Sequence, residues 1–135
     1  MVFQKIGFTT ADDFDYLEKS LRLGIEEGRT TGFEHKNIEE RIYPKLSLKS
    51  AKTIISIAVA YPHKLPQQPP KKQNLRRGKI TPNSWGLDYH YVLQDKLKRL
   101  AKGIEKLTEN FEYKGMVDTG ALVDTAVAKR AGIGF

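Results

Sequence analysis

The stretch Thr53 to Tyr61, TIISIAVAY, constrains the fold more than any other part of this chain. It is rich in β-branched residues and nearly apolar on both faces, whereas a strand with one wet face alternates between apolar and polar. That predicts a central strand covered on both sides, with helices packed against it. A second run, Lys5 to Thr10 (KIGFTT), reads as a shorter strand entering a helix. Thr10 and Asp13 have the spacing of a capping box, with Asp13 in place of the usual Glu. Phe14, Leu17 and Leu21 then recur at helical spacing, and Gly24 and Gly28 weaken the far end. Arg29 to Lys36 is expected to be loop. Asn37 to Tyr43 is expected to hold one helical turn, closed by Pro44.

Farther along, Tyr89, Leu93, Leu97, Leu100, Ile104, Leu107 and Phe111 step by four and three. They form one apolar stripe, with lysines and glutamates opposite, and predict a helix over Asp88 to Phe111. Lys114 to Val117 is expected as a strand, and Leu122 to Ala131 as a small-residue helix ended by Gly132. The predicted fold class is α+β with an α/β-like order: a mixed sheet flanked by helices. A chain of 135 residues suits one domain, 1–135, and 39% apolar residues supply a modest core. The longest apolar stretch is strand length, so no membrane span is expected. No basic segment followed by an apolar one marks a secretory signal at the N-terminus. Cysteine is absent, which excludes disulfides, thiolate catalysis and cysteine-ligated metals within these residues and agrees with a cytoplasmic setting.

The net charge of +7 and a pI near 9.6 favour an anionic partner, of which nucleic acid is the commonest. Between the two strongest elements, Pro62 to Lys79 carries four prolines and no acidic residue. Lys64, Lys71, Lys72, Arg76, Arg77 and Lys79 lie in it. Such a loop is either a solvated charge run or a grip on a phosphate backbone, salt-sensitive and blind to sequence. Aromatic residues do not interleave with these charges, so base stacking is not indicated.

Asp118-Thr119-Gly120 lies between the expected strand and the last helix, and two readings stand. Asp118 or Thr119 caps the helix. Alternatively, a carboxyl group at a strand's carboxyl end, shielded from water, keeps its proton and acts as a general acid. In Ser84 to His90 (SWGLDYH), Tyr89 continues the apolar stripe and reads as core. His90 falls off the stripe, as a surface or hydrogen-bonded histidine or as a ligand. No phosphate-binding P-loop, GxGxxG, HExxH or GxSxG motif occurs. The glycines of Arg130 to Phe135 follow a helix, so they are not a dinucleotide fingerprint.

Taken in order, KIGFTTAD, ERIYPKL, AKTIISIAVAYP, RRGKI, SWGLDYHYVL, MVDTG and AVAKRAGIGF resemble the epoxyqueuosine reductase family over most of the chain. The resemblance implies a cobalamin-dependent enzyme with two 4Fe-4S clusters that reduces the epoxide of epoxyqueuosine in tRNA, at the anticodon arm. It implies a partial nitroreductase-like cobalamin-binding core, with the ferredoxin-like cluster domain and its cysteines outside this chain. The chain then reads as an internal or N-terminal piece of the enzyme, inactive alone, with an external electron donor serving the whole protein. An exposed edge or apolar face of such a piece favours a homodimer.

Residue by residue, the resemblance makes Asp118 the proton donor, beside the cobalamin, and places Arg41 and Thr81 near the corrin ring. Thr81 stands where some relatives have cysteine, and Thr125 where some have arginine. Tyr89 and His90 match a family DYH segment without an implied role. They join Lys71, Lys72, Arg76 and Arg77 as candidate substrate or tRNA contacts. Asp118 as an acid requires a raised pKa, expected from burial against the corrin. The alternative is a basic α/β module that binds RNA without chemistry.

Overall fold

The computed structural model describes residues 5–61, 78, 80–84 and 86–134. Strand β1 (Lys5–Thr10) pairs antiparallel with β2 (Thr53–Ala58), in a register running from Lys5 opposite Ala58 to Thr10 opposite Thr53. Among the described residues the sheet has these two strands only, so it is antiparallel and not mixed. The residues of β2 after Thr53 are half-buried, and its second edge has no strand beside it among the described residues. The apolar character of TIISIAVAY therefore exceeds the cover found around it. Residues 111–117 run without ladder pairing, in place of the strand expected at Lys114 to Val117. A strand needs a neighbour to exchange hydrogen bonds with, and no described segment takes that place.

The turn after β1 departs from the capping-box expectation. The Thr10 hydroxyl donates to Asp12 Oδ2 at 2.5 Å. A 3-10 turn at Asp15–Leu17 then leads into α1 (Glu18–Glu26), neither with a side-chain cap. The corner is held from outside by Arg130. Its guanidinium donates to Thr9 Oγ1 and to the carbonyls of Thr10, Asp12 and Asp13, at 2.8 to 3.1 Å. It also lies 3.4 Å from the centroid of the Phe14 ring, a cation–π contact.

Helix α2 (Ile38–Ile42) begins as expected, with Asn37 accepting from the Glu40 N–H. Pro44 does not simply end it. After one extended residue, Tyr43, it opens α3 (Pro44–Ser47), where its fixed φ and missing N–H suit a first helical position. Phe14 and Ile42 are the largest fully buried side chains. With Ile38, Ala126 and Val127 they form the core, edged by Leu17, Ile54 and Leu122. The strongly apolar stripe predicted farther along begins α4 (Tyr89–Glu105), which stops short of Phe111, and Leu107 beyond it is 86% exposed. The chain bends over residues 108–110, where Asn110 takes a φ of 55°. The stripe residues Leu97, Leu100 and Ile104 face a hollow of about 700 Å³, across from Ile54 and Ile55 of β2. Ala101 is the one fully buried residue of this helix.

The last helix, α5 (Asp124–Arg130), lies over the β1–β2 ladder. Its exit passes so close to β1 that a Cβ on Gly7 would stand 2.2 Å from the Ala131 carbonyl oxygen, a contact only glycine permits. No helix of the described residues is long and apolar enough to cross a membrane.

Candidate active site

Three consecutive residues at the start of α4 meet one turn before α5. Asp88 is the N-cap: its Oδ1 accepts the His90 backbone N–H at 2.9 Å and lies 2.8 Å from His90 Nδ1. The His90 N–H first, and then the His90 ring, hold the Asp88 carboxyl below the usual range. An ionised carboxylate only accepts, so the proton of the neutral ring belongs on Nδ1. Tyr89 reaches toward the turn, and its hydroxyl donates to Asp118 Oδ2 at 2.5 Å. That bond first, then desolvation and the charges of Asp118 and Asp88, raise the Tyr89 phenol above its ordinary value. The rings of Tyr89 and His90 are stacked, with centroids 4.1 Å apart. His90 Nε2 is buried, has no hydrogen-bond partner among the described residues, and lies 3.8 Å from Asp118 Oδ2.

The turn itself is unusual. Asp118 takes a φ of 55°, and the Thr119 N–H bonds back to the Val117 carbonyl at 2.5 Å. A positive φ at the centre of a three-residue hydrogen-bonded turn is the rarer and more strained γ-turn sense, which Asp tolerates better than bulky residues. Buried Val117 anchors one side. On the other, a Cβ at Gly120 would stand 2.8 Å from the Met116 side chain. Neither Asp118 nor Thr119 caps α5. That helix starts at Asp124, and its N-cap position, Val123, makes no side-chain bond. The capping reading is therefore set aside by the geometry. Asp124 is the second carboxyl of the neighbourhood, raised by desolvation and then by the charge of Asp118.

The shielding expected for Asp118 is not supplied by the described residues, since its side chain is 63% exposed. The 700 Å³ hollow is lined by Met116 and Leu122 but not by Asp118. A second hollow, of about 360 Å³, is lined by Leu87, Tyr91, Val92, Asp95, Lys96 and Arg99. Leu87 and Tyr91, flanking the cluster in sequence, are 82% and 74% exposed.

Of the other predicted residues, Arg41 is half-buried in the last turn of α2. Exposed Thr81 precedes a 3-10 turn at Pro82–Ser84, with its hydroxyl 3.3 Å from that of Ser84. No hydrogen bond, ion pair or ring contact among the described residues joins either one to Asp118. Lys71, Lys72, Arg76 and Arg77 lie outside the described residues. Sequence reasoning missed Asp88 and Asp124. An acidic N-cap two residues before a histidine was the available signal for Asp88.

Comparison with known proteins gives this site a context. A profile described as epoxyqueuosine reductase QueG, DUF1730, matches residues 41–119. An epoxyqueuosine reductase structure from Streptococcus thermophilus is 92% identical, with a TM-score of 0.92, over 98% of this chain and 36% of that one. A crystal structure of epoxyqueuosine reductase with an epoxyqueuosine-modified tRNA-Tyr stem loop is 49% identical, with a TM-score of 0.90, over 98% and 35%. The epoxyqueuosine reductase of Bacillus subtilis, solved with an aspartate catalytic loop swung out of the active site, is 47% identical, with a TM-score of 0.90, over 98% and 35%. The chain spans about a third of the length of the curated relatives from Lactococcus garvieae, Listeria monocytogenes and Bacillus subtilis, each an epoxyqueuosine reductase. With the profile covering more than half of its residues and the fold shared almost throughout, the chain belongs to the epoxyqueuosine reductase QueG, DUF1730 family.

Proposed function

We propose that this chain is the part of an epoxyqueuosine reductase that supplies the proton donor, Asp118, for reducing the epoxide of epoxyqueuosine in tRNA to queuosine. One observation carries the reading. Asp118 projects from a strained turn with Oδ2 tied to Tyr89 and with Oδ1 making no hydrogen bond among the described residues. A relative of the same fold has an aspartate catalytic loop that swings. As the carbon–oxygen bond opens, its electron pair moves onto oxygen. A proton passed from Asp118 Oδ1 neutralises that charge, an effect worth about 10²- to 10⁴-fold in rate. Tyr89 holds the other oxygen and so fixes the direction of transfer.

The electrons are assigned to cobalamin, which when bound supplies the reducing power for this bond cleavage. The residues present fit one wall of such a site. Asp118 is exposed, and Leu87 and Tyr91, on either side of its partner Tyr89 in sequence, are apolar surface that the described residues leave open to a flat macrocycle. Covering Asp118 in this way is also what would keep its proton in place. Arg41 and Thr81 are assigned to the same wall. Two 4Fe-4S clusters, fed by an external electron donor, are assigned to sequence outside these residues, because the chain has no cysteine to ligate them.

In this reading residues 1–135 are the N-terminal part of a nitroreductase-like catalytic region in a cytoplasmic enzyme. The β1–β2 ladder is a fragment of its sheet, and edges left without a strand among the described residues favour self-association of the isolated piece. The excess positive charge serves the anticodon arm of tRNA. The test is Asp118→Asn in the full-length enzyme. Reduction of epoxyqueuosine is expected to be lost while the visible spectrum of bound cobalamin is unchanged. Near-normal turnover overturns the assignment.

A further inference from the structure

The structure assigns to His90, oriented by Asp88, the task of returning a proton to Asp118 after each turnover. This rests on the reading of Asp118 as the proton donor and adds a residue behind it. His90 touches neither substrate nor cofactor in this scheme; it is a positioning and proton-supplying residue that acts through Asp118.

Three observations converge. The Asp88 carboxylate accepts from both the backbone N–H and the Nδ1 side of His90, which locks the ring and fixes its tautomer. Stacking against Tyr89 holds the ring plane. The opposite nitrogen, Nε2, is buried without a hydrogen-bond partner among the described residues and faces Asp118 Oδ2 at 3.8 Å. A buried polar atom left unpaired costs free energy, and such atoms are rare enough to need a reason. Here the reason is a proton site used part of the time. At 3.8 Å the two groups are one small shift from a hydrogen bond, and the Asp118 turn is the kind of loop that moves in a relative.

Releasing the epoxide oxygen as water takes two electrons, assigned above to cobalamin, and two protons, which the relay supplies one at a time. Asp118 gives its proton to the departing oxygen and is left as a carboxylate. The imidazolium of His90 transfers the Nε2 proton to Oδ2, the oxygen it faces, and becomes neutral with its Nδ1 proton still hydrogen-bonded to Asp88. A half-turn of the carboxyl group about Cβ–Cγ then exchanges the two oxygens and presents the proton where Oδ1 stood. Nε2 itself is buried, so water returns its proton when the Asp118 turn moves aside and opens that face of the ring. The arrangement resembles a carboxylate-oriented histidine in acyl transfer, with a carboxylate in place of the hydroxyl group.

The experiment uses the full-length enzyme with epoxyqueuosine-containing tRNA. His90→Gln keeps a polar side chain but cannot relay a proton, and is expected to lower kcat about 10²-fold with little change in KM. His90→Gly is expected to be slow, and to recover in proportion to added imidazole when compared with wild type in the same buffer. A merely structural histidine would not give that rescue. In protein labelled with ¹⁵N-histidine, the neutral His90 ring should carry its proton on Nδ1. Wild-type turnover by His90→Gln, absence of imidazole rescue in a folded His90→Gly, or a neutral ring protonated on Nε2 each overturns the inference. Asp118→Asn separates the two readings. If that variant is active, the proton donor is misassigned. If it is dead while His90→Gln is normal, Asp118 stands and the relay falls.

Discussion

Among the described residues Asp118 has one oxygen occupied and one free, and the occupied one depends on a single phenol. Tyr89→Phe removes the only donor to Oδ2 found among the described residues. Losing a hydrogen bond to a charged group is expected to lower kcat of the full-length enzyme by about 10-fold or more, with KM little changed, in steady-state kinetics. Glu34 shows what a carboxylate does when fully paired by its own loop. Its oxygens accept the N–H groups of Thr31 and Gly32 and the Thr31 hydroxyl. These bonds, with the Thr31 N–H first, lower its pKa to about 2. A carboxyl depressed on folding adds stability above its unfolded value and loses it as pH falls through the folded one. Protection of the Thr31 and Gly32 amides, measured against the intrinsic exchange rate at each pH, should therefore fall between about pH 4.5 and pH 2, and Glu34→Gln should remove that dependence. The residue roles were only half legible in the sequence. Asp118 stood out as a carboxyl in a turn, and Tyr89 as part of a stripe. Their contact spans 29 residues and leaves no periodic trace.

At the scale of elements, glycine at position 7 decides how closely α5 can cross β1. Gly7→Ala would force the Ala131 carbonyl aside, and overpacking of this kind costs about 1–3 kcal/mol. A lower urea midpoint for the full-length protein is the expected reading, and an unchanged midpoint would show that α5 can shift freely. The elements that the sequence predicted well are those whose signal is local. KIGFTT and TIISIA paired as strands, the helical turn expected after Asn37 formed as α2, and the Leu93-to-Ile104 spacing gave the body of α4. The misreadings share a different cause. Lys114 to Val117 has strand composition, but pairing requires a neighbour that local composition does not specify. Pro44 reads equally well as a stop and as a start, and the extended Tyr43 before it allowed a start. Thr10 and Asp13 had capping spacing, yet the Thr10 hydroxyl turns to Asp12 and the corner is shaped by Arg130, more than a hundred residues away, which binds its carbonyls.

For the whole molecule, charge and coverage point the same way. A chain with 23 basic and 16 acidic residues, spanning about a third of its relatives, presents a basic surface and leaves apolar side chains uncovered. Ile6 and Phe8 of β1 are 47% and 65% exposed, and the stripe of α4 looks across a hollow instead of a packed core. If the basic loop holds the anticodon arm, reversing charge at Lys71, Lys72, Arg76 and Arg77 in the full-length enzyme should weaken tRNA binding. The slope of log affinity against log salt should become shallower by up to about 0.7–0.9 for each phosphate that the variant no longer neutralises. Unchanged affinity at low salt would remove that loop from the interface. The same comparison bears on the alternative of an RNA-binding module without chemistry, which requires the salt effect but is indifferent to Asp118→Asn.

The left-handed backbone at Asp118 governs which replacements there give a clean answer. Asparagine shares the ability of aspartate to rest at positive φ, keeps the outline of the side chain and removes only acidity. Alanine at this site would carry a backbone penalty of about 1–2 kcal/mol as well, and the loop could relax into another shape before any substrate arrived. A dead alanine variant would thus confound a missing acid with a missing scaffold, whereas the amide swap isolates the chemistry.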